Sequence, residues 1–218
     1  MSHPFGILSQ FGRRFSSVIH VGANDGKEVP EYKKHLLKHA VLIEPLPNVF
    51  ERLKQKIIGH DGFVAVQALC SDLPNIKRDF YVASNNGQSS SLLKPTRHVV
   101  EHPDVAFNSK IEIESTTLDL VMVATEEKSK INRAQFDTLI LDVQGAELMV
   151  LKGACRTLDH IRFVYSEVSY GGLYENDVIF EDLQQFLKCF GFRLFWCCMN
   201  NHGWGDALFI KQRNHRSP

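Results

Sequence analysis

The sequence has no excess of either charge: 25 lysines and arginines stand against 25 aspartates and glutamates in 218 residues. That balance excludes a nucleic-acid or membrane surface built on bulk electrostatics and directs attention to a small or neutral substrate. Long hydrophobic runs are also missing, and nothing approaches the ~20 apolar residues that a membrane-spanning helix requires. The stretch from Met1 to Ser17 places Arg13 and Arg14 after its apolar residues, the reverse of a signal peptide's order, so a cytoplasmic protein is expected. Paired cysteines are missing as well. Cys70, Cys155, Cys189, Cys197 and Cys198 are odd in number and lack C-x-x-C spacing, which argues against a zinc site and for reduced core residues. Cys197, Cys198 and His202 make a poor ligand set, because adjacent strand residues point to opposite faces. With 44% hydrophobic residues the chain can bury one substantial core, and a single domain over residues 1–218 is expected.

What is present is organised around residues 18–26. Val18-Ile19-His20-Val21 is an apolar, β-branched run that stops in Gly22-Ala23-Asn24-Asp25-Gly26, and Tyr32, Leu36 and Leu37 then recur at helical spacing. Strand, glycine loop and helix together make a nucleotide-type site, although any α/β protein can contain a plain strand-to-helix turn. The dinucleotide fingerprint needs a third glycine, and Asp25 and Glu28 put negative charge where a phosphate would sit. An adenosine ligand without phosphate fits better, and S-adenosylmethionine is the common one.

Ala40 to Pro45 reads as a second buried strand carrying Glu44 at its carboxyl end. The acid stands 22 residues beyond Gly22, placed to accept the ribose hydroxyls of a nucleoside; the alternative is a solvated acid before a turn. A helix near 28–39, another over 48–57 and a third strand over 63–69 complete this half. Asp72, just after the third strand, is readable as a partner for an adenine amino group or as a turn-capping acid.

Between residues 73 and 130 the alternation fails. Phe80 to Ala83 and Ile111 to Ser115 read as strands, Asn85-Asn86-Gly87 as a turn, and Thr116 or Thr117 as the start of a short helix. The segment is longer than a crossover needs and is expected to cap the site, with the loop from Lys94 to Ser109 mobile and its His98 and His102 on the surface. Regularity returns with a fourth strand, Phe136 to Asp142, a helix through Leu148 and Leu151 ended by Gly153, and a fifth strand, Arg162 to Ser169, carrying Glu167. A helix over 178–190, a sixth strand over 192–198 and a short loop into Ala207 to Ile210 follow. That last strand must return antiparallel, because the connection is too short for a crossover.

The loop V-G-A-N-D-G, the I-E-P of 43–45, the S-S-S-L of 89–92, the T-L-D of 117–119, the L-D-V-Q-G-A-E-L-M-V-L-K-G-A of 141–154 and the S-E-V of 166–168 resemble the FkbM family of S-adenosylmethionine-dependent methyltransferases. The matches fall in order and span roughly residues 17–210. The resemblance implies the class I methyltransferase sandwich, an α/β Rossmann-like fold of seven mostly parallel strands, order 3-2-1-4-5-7-6 with the seventh antiparallel. It also implies methyl transfer, usually to a hydroxyl of a sugar or secondary metabolite. Where members often carry acids, this chain has His20 and Gln144.

On that fold the ligand lies over the carboxyl ends of the strands. Gly22, Asn24, Gly26, Glu44, Pro45, Ser71, Asp72 and Asp142 are the expected cofactor contacts. His202 or Asp142 is the candidate base, with Glu167 orienting a substrate group or the cofactor amine. Ser91 and Trp204 are candidates for the acceptor side, Trp204 offering a flat face to a sugar or merely covering the sheet edge. A module that binds S-adenosylmethionine without catalysis is the alternative; a nicotinamide oxidoreductase is disfavoured by the missing glycine.

Overall fold

The computed structural model describes residues 6, 7, 15–129 and 131–212, so the expectation resting on Arg13 and Arg14 lies outside the described residues. Among the described residues there are ten strands: β1 (Ser17–Val21), β2 (His39–Ile43), β3 (Phe63–Val66), β4 (Leu69–Cys70), β5 (Lys77–Val82), β6 (Ser109–Thr116), β7 (Thr138–Leu141), β8 (Phe163–Ser169), β9 (Phe192–Met199) and β10 (Trp204–Lys211). The helices are α1 (Val29–Lys34), α2 (Pro47–Lys56), α3 (His98–Glu101), α4 (Leu118–Lys128), α5 (Glu147–Lys152), α6 (Cys155–Leu158) and α7 (Phe180–Cys189).

The main sheet runs β3-β2-β1-β7-β8-β10-β9. Numbered among themselves in chain order, those seven strands read 3-2-1-4-5-7-6, and β10 is antiparallel to both neighbours. All five residues of β1 are buried, as a strand covered by helices on both faces requires. Strand alternation then divides the core. Ile19, Val21, Val41 and Ile43 point to one face, packing with Met122 of α4, Leu151 of α5 and Leu187 of α7. Val18, Ala40 and Leu42 point to the other, against Val29 and Tyr32 of α1 and Leu53 of α2.

β1 pairs in parallel with β2 on one side and with β7 on the other. The chain therefore fills one half of the sheet before returning to start the other. The carboxyl ends of β1, β2 and β7 border the crevice left where the order reverses, which is where open α/β sheets bind ligands. β4 pairs in parallel and β5 antiparallel with β6, making a small second sheet. Leu69 and Phe80 from that sheet pack on Leu46 and Val49 at the start of α2, which sets the second sheet beside the crevice.

Several local expectations are corrected. The expected third strand divides: Phe63–Val66 belongs to the main sheet, whereas Leu69–Cys70 leaves it to pair with β6. The first helix ends at Lys34 rather than near 39, because Leu36 takes a left-handed backbone (φ 54) and turns its side chain outward. The 94–109 stretch contains α3 and is tied down by hydrogen bonds from Thr96 N and His98 N to Leu173 O (2.9 and 3.2 Å). His98 is buried rather than on the surface, its ring edge-on to Phe107 and tilted against Tyr174. Of the five free cysteines only Cys70 is buried; Cys155, Cys189 and Cys198 are exposed, since apolar neighbours in sequence do not decide which way an edge strand or helix turns.

Candidate active site

A cleft of roughly 670 Å³, open at one side, lies over the crevice. Its floor is the end of β1. Gly22 (φ 84) and Asn24 (φ 45) adopt left-handed backbones, and Gly22 N and Ala23 N both donate to Ile43 O at 3.0 Å. A Cβ at Gly22 would sit 1.8 Å from Asp142 O, so only glycine lets the β1 turn approach the β7 end this closely. The walls are Glu44 and Pro45 after β2, Asp142 and Val143 after β7, and Phe80, Gly87, Gln88, Ser90 and Leu92 from the 73–130 segment.

Glu44 is 5% exposed. Burial pushes its carboxyl up to about 7, opposed by the backbone N–H groups of Leu46, at 2.9 Å, and Asn24. The folded protein thus holds this proton more tightly than the unfolded chain, which titrates near 4.5. Its contribution to stability is full below the unfolded value and is lost as pH rises through 7. His20 acts oppositely: burial lowers it to about 4, so its contribution is lost as pH falls from 6.5 toward 4. Replacing Glu44 with glutamine is therefore expected to raise the melting temperature of the cofactor-free protein at pH 8, by on the order of 2–3 kcal/mol in stability, and to change it little at pH 5. Scanning calorimetry at the two pH values checks this; an equal shift at both would mean that the ionised carboxylate is not the source of the difference.

Beyond Glu44 the cleft wall becomes a carboxylate network centred on Gln144. Its Nε2 donates to Asp142 Oδ1 (2.8 Å) and Glu167 Oε2 (2.9 Å), and its Oε1 accepts from the Tyr174 hydroxyl (3.0 Å). The backbone at Gln144 is left-handed (φ 55), and its carbonyl accepts from Ser91 Oγ at 2.7 Å. Glu147, 5% exposed at the start of α5, accepts from Val143 N and Gly145 N at 3.1 and 3.3 Å and so fixes the turn. Burial is the first cause that raises all three acids. Glu147 is pushed up to about 7, and Glu167 stands well above the usual carboxylate range, driven further by Asp142, Glu147 and Asp206. Lys27 at the cleft rim stands 3.7 Å from Glu28. Acids so desolvated favour a ligand that brings positive charge and oppose one that brings phosphate.

The expected site residues divide accordingly. Gly22, Asn24, Glu44, Pro45 and Asp142 border one cleft, and Glu167 joins Asp142 through Gln144. Gly26 does not border it; a Cβ there would meet Leu53 Cδ1 at 2.8 Å, so its glycine serves the packing of α2. Asp72 is turned away, bound to Arg78 Nη2 at 2.7 Å and to Ser71 Oγ at 2.9 Å, and Ser71 is fully buried. Ser91 is buried too, its hydroxyl engaged with Gln144 O and Leu93 N. His202 stands exposed on the β9–β10 turn, its Nδ1 3.8 Å from Glu101 Oε2, and borders neither cleft. Trp204 belongs to β10 and, with Glu167 and Tyr174, lines a second, narrow cavity on the far side of Gln144. Tyr174 and Phe80 had no periodic signature to single them out.

A mostly parallel sheet with a reversed last strand, an acid after β2 and a crevice lined by buried acids define a class I methyltransferase. The chain belongs to the FkbM methyltransferase family: the model of the methyltransferase FkbM domain matches residues 20–194. A curated relative, the 2-O-methyltransferase NoeI of Sinorhizobium fredii, is 27% identical over 180 residues, spanning 79% of this chain and 71% of that protein. Among solved structures, Streptococcus pneumoniae Sp1610, a putative tRNA (m1A22) methyltransferase in complex with S-adenosyl-L-methionine, superposes with a TM-score of 0.53 at 9% identity, covering 97% of this chain and 73% of that one. The magnesium protoporphyrin IX methyltransferase of Synechocystis PCC 6803 with bound S-adenosylhomocysteine gives 0.51 at 9% identity, over 95% and 80% of the two chains. At these identities the structures share the fold.

The protein is an S-adenosylmethionine-dependent methyltransferase, and the residues present fit that cofactor. Glu44 offers a buried carboxyl beside the β1 turn, Leu69, Phe80, Leu92 and Val143 make an apolar slot, and Asp142 adds negative charge. A sulfonium and an ammonium on one molecule match that donor set.

Proposed function

We propose that this enzyme methylates a hydroxyl group on a carbohydrate or similarly polyhydroxylated small molecule, in the cytoplasm. The carrying observation is the carboxylate pair Asp142 and Glu167, held 2.8 and 2.9 Å from one amide nitrogen, Asp142 lining the first cleft and Glu167 the second. The cofactor supplies a methyl group on a positively charged sulfur, already activated toward a nucleophile. The protein's own tasks are to orient the acceptor oxygen, to exclude water and to take a proton.

Glu44 holds the ribose in this reading, and Asp142 lies between cofactor and acceptor. Glu167 is the better placed of the two to accept the proton, because it lines the second cavity. His202 has no part in the chemistry. Residues 73–130 cap the site within one domain, with Phe80 and Leu92 excluding water from the cofactor side. The name of the curated relative supports oxygen as the methylated atom. The five free cysteines agree with a reducing compartment, and the balanced charge with an acceptor other than nucleic acid.

The test is incubation with methyl-labelled S-adenosylmethionine and a panel of saccharides, reading acceptor mass. A gain of one methyl on oxygen is expected; label appearing only on amines or nucleic acid would refute the reading. In parallel, Glu44→Ala is expected to weaken S-adenosylhomocysteine binding about 10- to 100-fold by calorimetry, the range for losing charge-assisted hydrogen bonds. Unchanged affinity would place the ribose elsewhere.

A further inference from the structure

Beside the cofactor cleft, the 73–130 segment and the stretch after β8 are laced together. Tyr81 N donates to Ser91 O (2.8 Å) and Ser91 N to Tyr81 O (3.1 Å), while Glu175 N donates to Lys94 O (2.7 Å). β5, residues 91–94 and residues 174–176 therefore lie side by side. They wall an open groove of about 300 Å³, lined by Tyr81, Leu92, Leu93, Lys94, Glu175 and Asn176 together with Arg78 and Asp79. That volume stands at the small end of the range in which small-molecule sites fall, about 300–1,000 Å³. Because hydrogen bonds join all three segments, the groove is formed before a ligand arrives.

Two side chains set the groove next to the reacting groups. Leu92 borders both the groove and the cofactor cleft, so a single side chain parts them. Leu93 borders the groove and packs at Gly145, its Cδ1 3.3 Å from where a Cβ on that glycine would lie. Gly145 follows directly on Gln144, whose amide joins Asp142 to Glu167. We propose that this groove holds the body of the acceptor, a neutral polyhydroxylated molecule the size of a monosaccharide, with its reacting hydroxyl entering past Leu92 and Leu93 toward Glu167. This deepens the proposed function and rests on it.

The lining selects that ligand class. Arg78 is neutralised by Asp72 and Asp79 by Lys110, both at 2.7 Å. Lys94 and Glu175 add one charge of each sign on segments bonded to each other, so an anion meets Glu175 and a cation meets Lys94. The groups left to meet a ligand are of mixed polarity. The lysine ammonium only donates, the glutamate carboxylate only accepts, and the Tyr81 hydroxyl and Asn176 amide do both. Neighbouring hydroxyls, each a donor and an acceptor, satisfy such a set without a charge of their own. Tyr81 is half-buried, and its ring supplies a flat apolar face with a polar tip, the combination against which a sugar ring packs.

The experiment uses Tyr81→Phe, Tyr81→Ala and Asn176→Gly, the last keeping a residue at ease with the left-handed backbone there (φ 58). Each is assayed with methyl glycosides of glucose, galactose and mannose, with myo-inositol, and with glucuronic acid and glucosamine as charged counterparts. Tyr81→Phe is expected to raise the acceptor KM about threefold and the other two about tenfold, the range for one hydrogen bond with or without its packing. kcat should stay within about threefold, with S-adenosylhomocysteine affinity and melting temperature unchanged. Binding is read separately, without turnover, by saturation-transfer NMR of the same probes on the enzyme loaded with S-adenosylhomocysteine.

Methyl transfer with KM unchanged in all three variants overturns the groove as acceptor site and leaves the function. So does a Tyr81→Ala defect confined to thermal stability and cofactor affinity. Saturation transfer that Tyr81→Ala abolishes, without methylation of any probe, keeps the groove and overturns the function. A lower KM for glucuronic acid or glucosamine than for the neutral probes overturns the ligand class. Neither saturation transfer nor methylation overturns both readings.

Discussion

Gly22→Ala is expected to destabilise the protein by about 2–5 kcal/mol and to abolish measurable cofactor binding. Two penalties add: a non-glycine residue at a left-handed backbone costs roughly 1–2 kcal/mol, and forcing a methyl into filled space costs roughly 1–3 more. The space here is filled by backbone, with Asp142 O 1.8 Å and its carbonyl carbon 2.7 Å from the position of an ideal Cβ. Backbone at the end of a strand paired on both sides cannot swing aside as a side chain can. The relief open to the chain is to part β1 from β7, which moves the Gly22 and Asp142 walls of the cleft at once. Gly59→Ala is the control: its backbone is equally left-handed (φ 80), but nothing lies within 4 Å of a Cβ, so only the conformational penalty of about 1–2 kcal/mol remains. Urea unfolding of both variants, with the S-adenosylhomocysteine-induced shift measured alongside, checks the contrast. Equal losses in the two would mean that the approach of β1 to β7 plays no special part.

Gln144→Leu is expected to lower kcat at least about 100-fold. Leucine keeps the volume but removes the donor shared by Asp142 and Glu167 and the acceptor of the Tyr174 hydroxyl. Two desolvated carboxylates then face each other without the amide between them, and they resolve the repulsion by sharing a proton, as close acid pairs do. A carboxyl that shares its proton can no longer accept another from a hydroxyl. Gln144→Glu separates charge from shape. The substituted carboxyl can donate a hydrogen bond only when protonated, so the rise of activity with pH that a carboxylate base gives the parent enzyme should be cut short, activity falling once the substituted carboxyl ionises. The pH–rate profile of kcat decides it: a profile parallel to the parent's would show that the amide serves only to fill space.

How much of this was legible before the structure depended on the range of the interaction involved. The apolar runs within 18–21, 40–45 and 136–142 announced buried strands by composition alone, and the strands found there are buried throughout or nearly so. The reversal of the last strand followed from the shortness of its connection, a constraint of chain geometry. Glu44 could be placed because strand, loop and spacing are all local. Asp72 could not be read the same way. It stands after the third strand in sequence, but Arg78, brought beside it by β5, claims its carboxylate. Gly26 and Ser91 misled for a related reason: a glycine or a serine in a loop looks free until the packing partner appears, here Leu53 and Gln144 O.

The histidines show the same limit in the other direction. His202 sits in a polar, glycine-flanked loop at the expected mouth, yet the turn leaves it in solvent beside Glu101. His98 sits in a stretch with no clear period, yet the bonds from residues 96–98 to the 172–173 carbonyls fold it inward against Tyr174. Neither outcome is written in the neighbouring residues.

The sequence by itself determined the strands, the reversal of the last one, the glycine turn, the acid after β2 and the family, because these depend on periodicity, chain connectivity and motifs a few residues long; the order of the strands in the sheet came only as what the family resemblance implies. Tertiary structure alone decided which polar groups are free to meet a ligand. A carboxylate, a hydroxyl or an imidazole acts according to what already holds it, and those partners, Arg78 for Asp72, Gln144 for Asp142 and Glu167, Tyr174 for Gln144, come from segments that only folding brings together.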